Sequence, residues 1–454
     1  MLTYQLKKAP GVPLYEALYR CIREDILNGK LPAGQKLPSK RALASHLELS
    51  TVTVEAAYSQ LVAEGYLCSR EKVGYFVEAV EIPRSATVPP APIPRENKPQ
   101  GVDLTANAPA QFPFSVWNRL QRQVLLDFGN QLLEPVPHQG VAALRQAIAE
   151  HLAAFRGMIV DPEDIIIGAG TDFLYNLLLQ LLGKDRVYLL EEPGYGKIRR
   201  IYSAAGATAQ SAPMDENGVI PCELGENRVL HISPSHHFPT GIVTPMPRRL
   251  ALLQWAAASH SWIIEDDYDT EFRFNTHPIS AMYTPDQSGR VIYMNSFSKS
   301  LAPSIRIGYM VLPPALMKRF REELGFYSST VSGFEQHTLA RFLMEGHFEK
   351  HINRMRKFYR ARRNRIVELL RNCPWADKLT IHEADAGLHF LLKVNTTLSD
   401  EELTTFCAEK GLLVRSLNSY YHDAIPESAH NTLVINYSGL REEDMEALQR
   451  LLTE

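Results

Sequence analysis

Six short apolar runs recur between residues 165 and 311, and they limit the possible folds more than any other feature of the chain. They are residues 165–167, 187–190, 229–232, 262–264, 291–293 and 307–311. Each run has the length of a buried strand, and the spacing between the runs suits βα units. The pattern predicts an α/β fold with a mostly parallel central sheet. Side chains that follow such strands meet at one edge of the sheet, where ligands bind.

Lys299 follows the 291–293 run and would lie in a loop at that edge. Desolvation and a nearby cation favour the neutral form of a lysine, which can form a Schiff base with an aldehyde. Arg306 follows seven residues later, and Ser296 and Ser298 precede the lysine, so these side chains could hold a phosphate. An aldehyde and a phosphate in one ligand point to pyridoxal 5'-phosphate. The alternative is an ordinary surface loop, which fits the strand context less well.

Other stretches after earlier strands suit the same cofactor. Residues 168–171, Gly-Ala-Gly-Thr, would open a helix whose amide groups face an anion. Tyr195 could stack on a pyridine ring. A carboxylate of Asp266 or Asp267 could keep the pyridine nitrogen protonated, and Tyr268 could hydrogen-bond the ring hydroxyl oxygen. Each residue alone could belong to an ordinary turn, but their shared position after successive strands makes coincidence a poor explanation.

Length, charge and cysteine content limit the number of domains and the kinds of partner that we expect for this chain. The chain has 454 residues, which exceeds one typical domain and suggests two unequal units. Its net charge of −3 provides no global attraction to nucleic acid, so a DNA contact requires a local basic patch. Five scattered cysteines show no spacing typical of zinc or a disulfide framework, so we predict no metal and a cytoplasmic location. No apolar run approaches the roughly 18 residues of a membrane span, so we predict no membrane contact.

The N-terminal part of the sequence predicts three helices followed by a hairpin. Apolar residues spaced four apart predict a helix over 14–28, Ser39 is placed to cap a second helix, and 51–64 predicts a third. Two short apolar runs, 66–68 and 75–77, flank a charged turn. This order is typical of a winged helix-turn-helix, whose third helix can enter the major groove of DNA. Basic residues fall at the second helix and the wing, where phosphates would lie: Lys36, Lys40, Arg41, Arg70 and Lys72.

Two passages of this segment resemble the GntR family of bacterial transcription regulators. They are GKLPAGQKLPSKRALA at 29–44 and TVEAAYSQLVAEGYL at 53–67. The resemblance implies that Ser39 and Arg41 contact DNA, that Thr53 near the start of the third helix reads bases or phosphates, and that Gly74 shapes the wing tip. Thr51 stands where the family usually has arginine, which removes one possible bidentate contact to guanine. The alternative for the basic residues is a solvated helix face.

A proline-rich segment separates this head from the rest of the chain. Residues 81–100 contain six prolines and no apolar periodicity, which predicts a semi-rigid linker over 80–101. The predicted domains are therefore 1–79 and 102–454. Basic residues between about 343 and 371 predict a long helix that leads to a small α+β C-terminal part. We interpret the basic face of this helix as a solvated or dimer-facing surface rather than a second DNA contact.

The larger segment, 102–454, resembles the fold-type I aminotransferases. The likeness rests on the Ser-x-Ser-Lys motif at 296–299 with Arg306 seven places after the lysine. Further matching passages are 111–117, 138–148 and 235–241. The resemblance implies a pyridoxal-phosphate-dependent transferase fold with a smaller C-terminal subdomain. Joined to a GntR-like head, the whole chain resembles the MocR family of regulators.

The resemblance also implies a role for each candidate site residue. Lys299 is the implied Schiff-base lysine, Asp266 the partner of the pyridine nitrogen, and Tyr268 the phenol at the ring oxygen. The implied phosphate cradle consists of Gly170, Thr171, Ser296, Ser298 and Arg306.

Two further implications concern the ring and the assembly. Tyr195 is implied to stack on the ring, and His236 or His237 to touch its edge. The family resemblance also implies a homodimer in which each winged helix lies against the large domain of the partner, a domain-swapped arrangement.

Three departures from the aminotransferase pattern bear on catalysis. The Asn-Pro-x-Gly loop of the enzymes appears here as residues 238–241, Phe-Pro-Thr-Gly, without the asparagine. Tyr268 follows Asp266 by two residues, where the enzymes space the pair by three. The enzymes also carry a late arginine that grips the substrate carboxylate, and residues 420–440 contain none. The effector is therefore not an ordinary amino acid, or another cation substitutes, and the candidates are Lys197, Arg199 and Arg415.

These observations predict a transcription regulator that depends on pyridoxal 5'-phosphate. It would bind promoter DNA through its head and sense a small amine or amino acid, or pyridoxal phosphate itself, at Lys299. An incoming amine would displace Lys299, and closure of the large domain would change the spacing of two DNA-reading heads. One alternative is a working aminotransferase with an appended DNA-binding head. A second alternative is a large domain that serves only as a dimerisation scaffold, without a cofactor.

Overall fold

The computed structural model describes residues 2–4, 13–71, 73–79, 101–105, 111–274, 280–382 and 387–453. Contacts along the chain divide it into two compact units, residues 1–97 and 98–454. The linker predicted over 80–101 lies, except for Gly101, outside the described residues. Within the described part of the chain, no helix is both long and apolar enough to cross a membrane.

The described residues of the first unit form three helices and one hairpin, as the sequence predicts. Its elements are α1 Leu14–Leu27, α2 Lys40–His46, α3 Thr51–Ala63, β1 Leu67–Arg70 and β2 Gly74–Val77. Leu18, Ile22 and Ile26 form the buried face of α1, because residues three and four apart share one side of a helix. The two strands pair antiparallel, with Leu67 opposite Val77. The fold is therefore a winged helix-turn-helix.

The second unit is built on a seven-stranded sheet with helices on both faces. Its strands are β3 Val102–Asp103, β4 Ile165–Gly168, β5 Val187–Glu191, β6 Thr208–Ala212, β7 Met214–Asp215, β8 Gly218–Val219, β9 Arg228–Ile232, β10 Trp262–Asp266, β11 Val291–Ser296, β12 Gly308–Val311, β13 Leu379–His382, β14 His389–Val394, β15 Leu412–Leu413, β16 Arg415–Ser416 and β17 Thr432–Asn436. Its helices are α4 Phe114–Phe128, α5 Ala142–Arg156, α6 Thr171–Leu182, α7 Gly196–Ala204, α8 Met246–Ala258, α9 Pro314–Glu323, α10 Gly333–Met344, α11 His347–Asn372, α12 Asp400–Glu409 and α13 Glu442–Thr453.

The strand order of the central sheet places the candidate site at one edge. The order is β4-β12-β11-β10-β9-β5-β6. All neighbours pair parallel except β12, which is antiparallel to β11 and β4. The C-terminal ends of the six remaining strands therefore share one edge. The prediction of a mostly parallel sheet is confirmed.

Both faces of this sheet are buried, which explains the uninterrupted apolar runs of its strands. Ile165 and Ile167 belong to the core on one face, whereas Ile166 belongs to the core on the other. The remaining core of the unit extends under a four-stranded sheet of order β13-β14-β17-β16. This sheet, with α12 and α13, is the small α+β part that the sequence predicts.

The basic helix differs from its prediction in two respects. It is interrupted near its start, because α10 ends at Met344 and Gly346, with φ +70°, precedes α11. The solvated-face interpretation is wrong for Arg362 and Arg363, whose exposed fractions are 7% and 8%. Arg354 and Arg360 on the same helix are exposed, as expected.

Aromatic rings and a carbonyl explain why two arginines are buried there. The guanidinium of Arg362 lies 4.2 Å from the centre of the Phe358 ring and donates to the Leu440 carbonyl. The guanidinium of Arg363 lies 5.1 Å from the centre of the Phe274 ring. Cation–π contact and a satisfied hydrogen bond offset the loss of hydration, so a basic pattern alone does not identify a surface.

Candidate cofactor site and DNA-binding surface

The predicted phosphate cradle lies where β4 leads into α6. The guanidinium of Arg306 donates to the Ala169 carbonyl at 3.0 Å and lies 3.5 Å from Asp172. A side chain at Gly170 would lie 2.9 Å from the guanidinium carbon, so only glycine permits this approach. Gly170, with φ +80°, precedes the first turn of α6, whose amide groups face outward from the helix start at Thr171. Arginine and a helix N-terminus therefore come together, as an anion requires.

The hydroxyl-bearing residues of the predicted cradle lie on the adjoining segment. Ser296 is the last residue of β11, and Ser298 and Lys299 follow in a turn. Ser296 is buried, while Ser298 and Lys299 are half-buried. Gly308, the first residue of β12, approaches the backbone of Gly170 to within 3.5 Å, measured from its ideal Cβ position. The close approach holds the 296–306 segment against the start of α6.

Asp266 lies at the end of β10 with one oxygen committed and one available. Its Oδ2 accepts a hydrogen bond from the Tyr175 hydroxyl and lies 3.3 Å from His231 Nε2. Its Oδ1 is buried and has no hydrogen-bond partner among the described residues. A buried carboxylate oxygen without a partner is costly, so this atom is suited to a charged N–H of a bound ligand. A protonated pyridine nitrogen is such a group.

Lys299 has the electronic property that its predicted role requires. Burial lowers its pKa to about 8, and the charge of Asp269 opposes this change. About a tenth of the Lys299 side chains are therefore neutral amines at pH 7, far more than for a lysine with the ordinary pKa. A neutral amine is the nucleophilic form of lysine.

His236 is held in a buried cluster next to Tyr268. Its Nδ1 lies 2.9 Å and 3.0 Å from the two carboxylate oxygens of Asp269 and 3.2 Å from the Tyr268 hydroxyl. The ring of His389 lies 5.0 Å from that of His236, centre to centre. Burial raises the pKa of Tyr268 and lowers the pKa of His389. Tyr268 is therefore a phenol, and His389 a neutral imidazole, at neutral pH.

The neighbouring His237 is turned away from this cluster. Its Nδ1 lies 2.6 Å from the Thr240 hydroxyl, and its Nε2 lies 3.7 Å from Glu191. Burial lowers the pKa of His237 to about 3 and raises the pKa of Glu191 to about 8. Both groups are largely uncharged at neutral pH, so this pair supports the loop by packing and hydrogen bonding rather than by an ion pair.

An aromatic group borders the site on the side of Tyr195. The Tyr195 ring, which is 53% exposed, lies 6.2 Å from the Phe238 ring in an edge-on arrangement. Phe238 also contacts the rings of Tyr268, His389 and Tyr420, at 6.5, 4.9 and 5.2 Å. Phe238 occupies the position of the enzymes' asparagine, so an apolar contact replaces a polar one there.

The head presents a recognition helix with a capped N-terminus. Ser50 caps α3 by accepting from the Thr53 amide at 3.1 Å, and the two hydroxyls are 2.7 Å apart. Thr51 begins the helix and is exposed. Val52 is 74% exposed, which is unusual for a large apolar residue. Sequence patterns did not indicate Val52, whose methyl groups suit contact with a thymine methyl in the major groove.

The second helix and the wing carry the basic side chains. Ser39 caps α2 by accepting from the Ala42 amide at 3.2 Å, and Arg41 is exposed in its first turn. Lys40 forms an ion pair with Glu55 of α3, so its charge is partly balanced within the head.

The aromatic ring of Phe76 in the wing lies close to two basic side chains. The charged groups of Lys36 and Arg70 lie 6.0 Å and 4.6 Å from the centre of the Phe76 ring. Gly74, with φ +127°, opens β2, and a side chain there would lie 3.2 Å from the Lys36 side chain. Lys72, predicted at the tip of the wing, lies outside the described residues.

Comparison with known proteins agrees with both halves of this description. The family "Bacterial regulatory proteins, gntR family" matches residues 14–77. The chain is 33% identical to the probable rhizopine catabolism regulatory protein MocR of Rhizobium meliloti, over 96% of this chain and 92% of that protein. It is 31% identical to the pyridoxine biosynthesis regulator PdxR of Corynebacterium glutamicum, over 93% of this chain and 91% of the relative.

Solved structures match the large unit. The kynurenine aminotransferase of Pyrococcus horikoshii, crystallised with PMP, superposes with a TM-score of 0.67 and 22% identity, covering 79% of this chain and 91% of the enzyme. This likeness establishes the aminotransferase fold. The chain belongs to the MocR family of GntR-type transcription regulators.

The late strand β17, where the aminotransferase resemblance predicts an arginine for the substrate carboxylate, consists of buried Thr432, Leu433, Val434, Ile435 and Asn436. Of the three cations that could substitute, Arg199 is committed elsewhere, because it donates to Ser211 and the Ala209 carbonyl. Lys197 pairs with Asp172 at 2.7 Å. Arg415 is exposed, and its charge opposes the burial that raises the pKa of Tyr420, whose ring lies against Phe238.

Several residues of the candidate site were not predicted from the sequence. Tyr175 and His231 fix Asp266, and Asp269 and His389 fix His236. Tyr175 lies four residues after Thr171, one turn into α6, so helical spacing could have indicated it. His389 lies on a strand far along the chain, and nothing in the local sequence indicates that it faces the site.

Proposed function

We propose that this transcription regulator carries pyridoxal 5'-phosphate at Lys299 and uses it to sense a small amine. The observation that carries the proposal is the combination of Lys299, with its pKa near 8, and the unpartnered Oδ1 of buried Asp266. When bound, the cofactor supplies an aldehyde for which Lys299 and an effector amine compete. Lys299 would bind the aldehyde of the cofactor, and Asp266 would accept a hydrogen bond from its pyridine nitrogen.

The chain's own residues orient such a ligand. Arg306 and the start of α6 would hold the phosphate, with the hydroxyls of Ser296 and Ser298 as further donors. Asp266 would hold the ring nitrogen, while Tyr268, Tyr195 and His236 would contact the ring. The residues present therefore fit the cofactor. They lie at or after the C-terminal ends of strands of the central sheet, except Arg306, which precedes the antiparallel strand β12.

We propose that Arg415 contacts an acidic group of the effector. It is exposed, and its charge acts on Tyr420, which belongs to the aromatic group that borders the site. An arginine can bind a carboxylate in a bidentate manner, which gives directional recognition. Replacing Arg415 with alanine should weaken the effector response but leave cofactor binding unchanged, whereas Arg199→Ala should leave both unchanged.

Absorption spectroscopy tests the central proposal. The full-length protein, supplied with pyridoxal phosphate and freed of excess, should absorb in the near-visible range where cofactor–lysine adducts absorb. Lys299→Ala should lose this band, while Lys318→Ala, at a lysine 77% exposed in its side chain, should retain it. A parent protein that stays colourless in excess cofactor, or a band that persists in Lys299→Ala, would overturn the proposal.

The second candidate function is transamination, which the aminotransferase fold favours. The sequence of β17 argues against it, because no arginine of that strand can hold a substrate carboxylate. We expect no more than trace conversion when amino acids and a keto acid are supplied together. Multiple turnovers at a rate of roughly 1 per second or faster would establish an enzyme.

We also propose a homodimer. Phe114, Leu125 and Leu126 of α4 and Leu133 after it are 75%, 52%, 83% and 77% exposed. Phe114 and Leu125 lie three helical turns apart and so share one side of α4. Apolar side chains of this size are normally covered, and a second copy of the chain is the cover that the family resemblance predicts. The swapped position of the winged helices stays a prediction.

A further inference from the structure

The recognition helix α3 differs from the rest of the head in its charge. Its sequence, Thr51–Ala63, contains no lysine or arginine, and Glu55 is its one charged residue. The exposed cations Lys36, Arg41 and Arg70 lie before α2, in α2 and at the end of β1. Phosphate contacts position a protein on DNA, whereas contacts to base edges in the groove carry the sequence information. Base reading by α3 therefore cannot use the bidentate contact of arginine or lysine with guanine.

The exposed side of α3 is formed by residues spaced three and four apart. Val52, Glu55 and Ser59 are exposed, and Ala56 between them is half-buried. Residues on the opposite side of the helix form the core of the head. A recognition helix contacts base edges with its N-terminal residues, so Val52 in the first turn is well placed to reach a base.

The polar neighbours of Val52 are engaged within the head. Glu55 forms an ion pair with Lys40 of α2, which balances the one negative charge that α3 would bring to DNA. Thr53 is half-buried, and its hydroxyl lies 2.7 Å from the hydroxyl of Ser50 at the helix cap. Val52 itself is 74% exposed, so most of its surface is open to a ligand.

We propose that Val52 determines sequence specificity by packing against the C5-methyl group of a thymine in the major groove. This methyl group is the apolar feature that base edges display in the groove, and a branched aliphatic side chain is its complement. Contact between the two removes apolar surface of both from water, which favours binding. The inference concerns DNA reading alone and requires no pyridoxal phosphate, so its failure would leave the proposed function intact.

Replacing thymine by uracil in the DNA tests the proposal, because the two bases differ only in this methyl group. Binding sites are first selected with the full-length protein from a random-sequence DNA library. One selected duplex is then prepared with thymidine and with deoxyuridine, and both affinities are measured by fluorescence anisotropy at one salt concentration. The parent should bind the uracil duplex about fourfold more weakly or worse, since fourfold is the contribution of one buried methyl group.

Two shortened side chains at Val52 identify the group that reads the methyl. Val52→Ala and Val52→Ser should bind the thymine duplex more weakly than the parent does and should lose most of its preference for thymine over uracil. Val73→Ala alters a second exposed valine, which lies in the wing and is 52% exposed, and should retain the preference of the parent. Because both valines are exposed, none of these variants should disturb the fold, and circular dichroism checks this.

Two results would overturn the proposal. One is equal affinity of the parent for the two duplexes, and the other is a preference for thymine that Val52→Ala retains in full. The slope of log affinity against log salt concentration should be the same in the parent and in Val52→Ala, because contact with a methyl group releases no counterions. A changed slope would mean that the substitution alters phosphate contacts, which would also count against base reading by Val52.

Discussion

Gly170 is the residue whose lack of a side chain most directly shapes the candidate phosphate cradle. Its ideal Cβ position lies 2.9 Å from the Arg306 guanidinium carbon, closer than real contacts allow. Gly183 has a similar backbone, with φ +95° against +80°, but open space around its Cβ position. The two glycines therefore share the conformational cost of a substitution and differ in the steric one.

This difference gives a prediction. Gly170→Ala should weaken pyridoxal-phosphate binding about tenfold or more, because the added methyl displaces Arg306. Gly183→Ala should destabilise the fold by about 1 kcal/mol but bind the cofactor normally. Fluorescence titration with the cofactor and urea unfolding measure the two effects. Equal cofactor affinity in the two variants would show that Arg306 does not hold the phosphate.

The lowered pKa of Lys299 gives a prediction on pH. Burial disfavours the ammonium form, so the neutral amine predominates above the pKa of about 8. Capture of pyridoxal phosphate by the cofactor-free protein should accelerate about tenfold between pH 7 and pH 9 and then level off. Stopped-flow absorbance measures the rate. A rate that continues to rise through pH 10 would indicate an ordinary solvated lysine.

At the residue scale, the sequence predicts the position of a side chain best where the residues concerned are close together in the chain. Lys299, Ser298 and Arg306 stand in one short segment, and Asp266 directly ends an apolar strand, so their positions follow from strand order. Asp269 and His389 were not predicted, because they contact His236 only after segments that are distant in the sequence have folded together. The roles assigned to the individual site residues stay predictions.

At the scale of elements, the basic residues of α2 differ in how far their charge is balanced within the head. Lys40 is balanced by Glu55, whereas Arg41 is exposed in the first turn of α2. A phosphate contact releases bound counterions from DNA, so its loss lowers the salt dependence of binding. Arg20 on α1 offers a comparison, because it is exposed and pairs with Glu16.

We therefore expect Arg41→Ala to reduce the slope of log affinity against log salt concentration by about 0.9. Arg20→Ala should leave the slope unchanged. Binding of the protein to the promoter DNA upstream of its own coding sequence, measured by fluorescence anisotropy at several salt concentrations, gives both slopes. Equal slopes for the parent and Arg41→Ala would remove Arg41 from the DNA contact.

Element boundaries illustrate what a pattern can and cannot predict. The strands of the central sheet follow their apolar runs because both faces are buried, which leaves a continuous signal. The basic helix was predicted too long, because the pattern does not register that Gly346 adopts a left-handed conformation between α10 and α11. Burial of Arg362 and Arg363 was likewise missed, since it depends on rings supplied by tertiary packing.

For the whole molecule, the exposed apolar side of α4 predicts self-association. Leu126→Asp should convert the dimer to monomer in sedimentation velocity experiments, because a desolvated carboxylate would face the partner. Phe406→Asp alters a residue of α12 that is 50% exposed and should leave the dimer intact. A monomeric parent protein, or a Leu126→Asp variant that remains dimeric, would contradict the proposed interface.

Asp172 in the first turn of α6 has a consequence for when the regulator can be loaded. Its carboxylate pairs with Lys197 at 2.7 Å and lies 3.5 Å from Arg306, the cation that an incoming phosphate would engage. If the proposed cofactor binds there, Asp172 would compete with its phosphate for Arg306, and so the cofactor concentration needed to load the protein would rise. The cofactor concentration at which the protein is loaded would then depend on this one carboxylate, without any change to the residues that hold the ring.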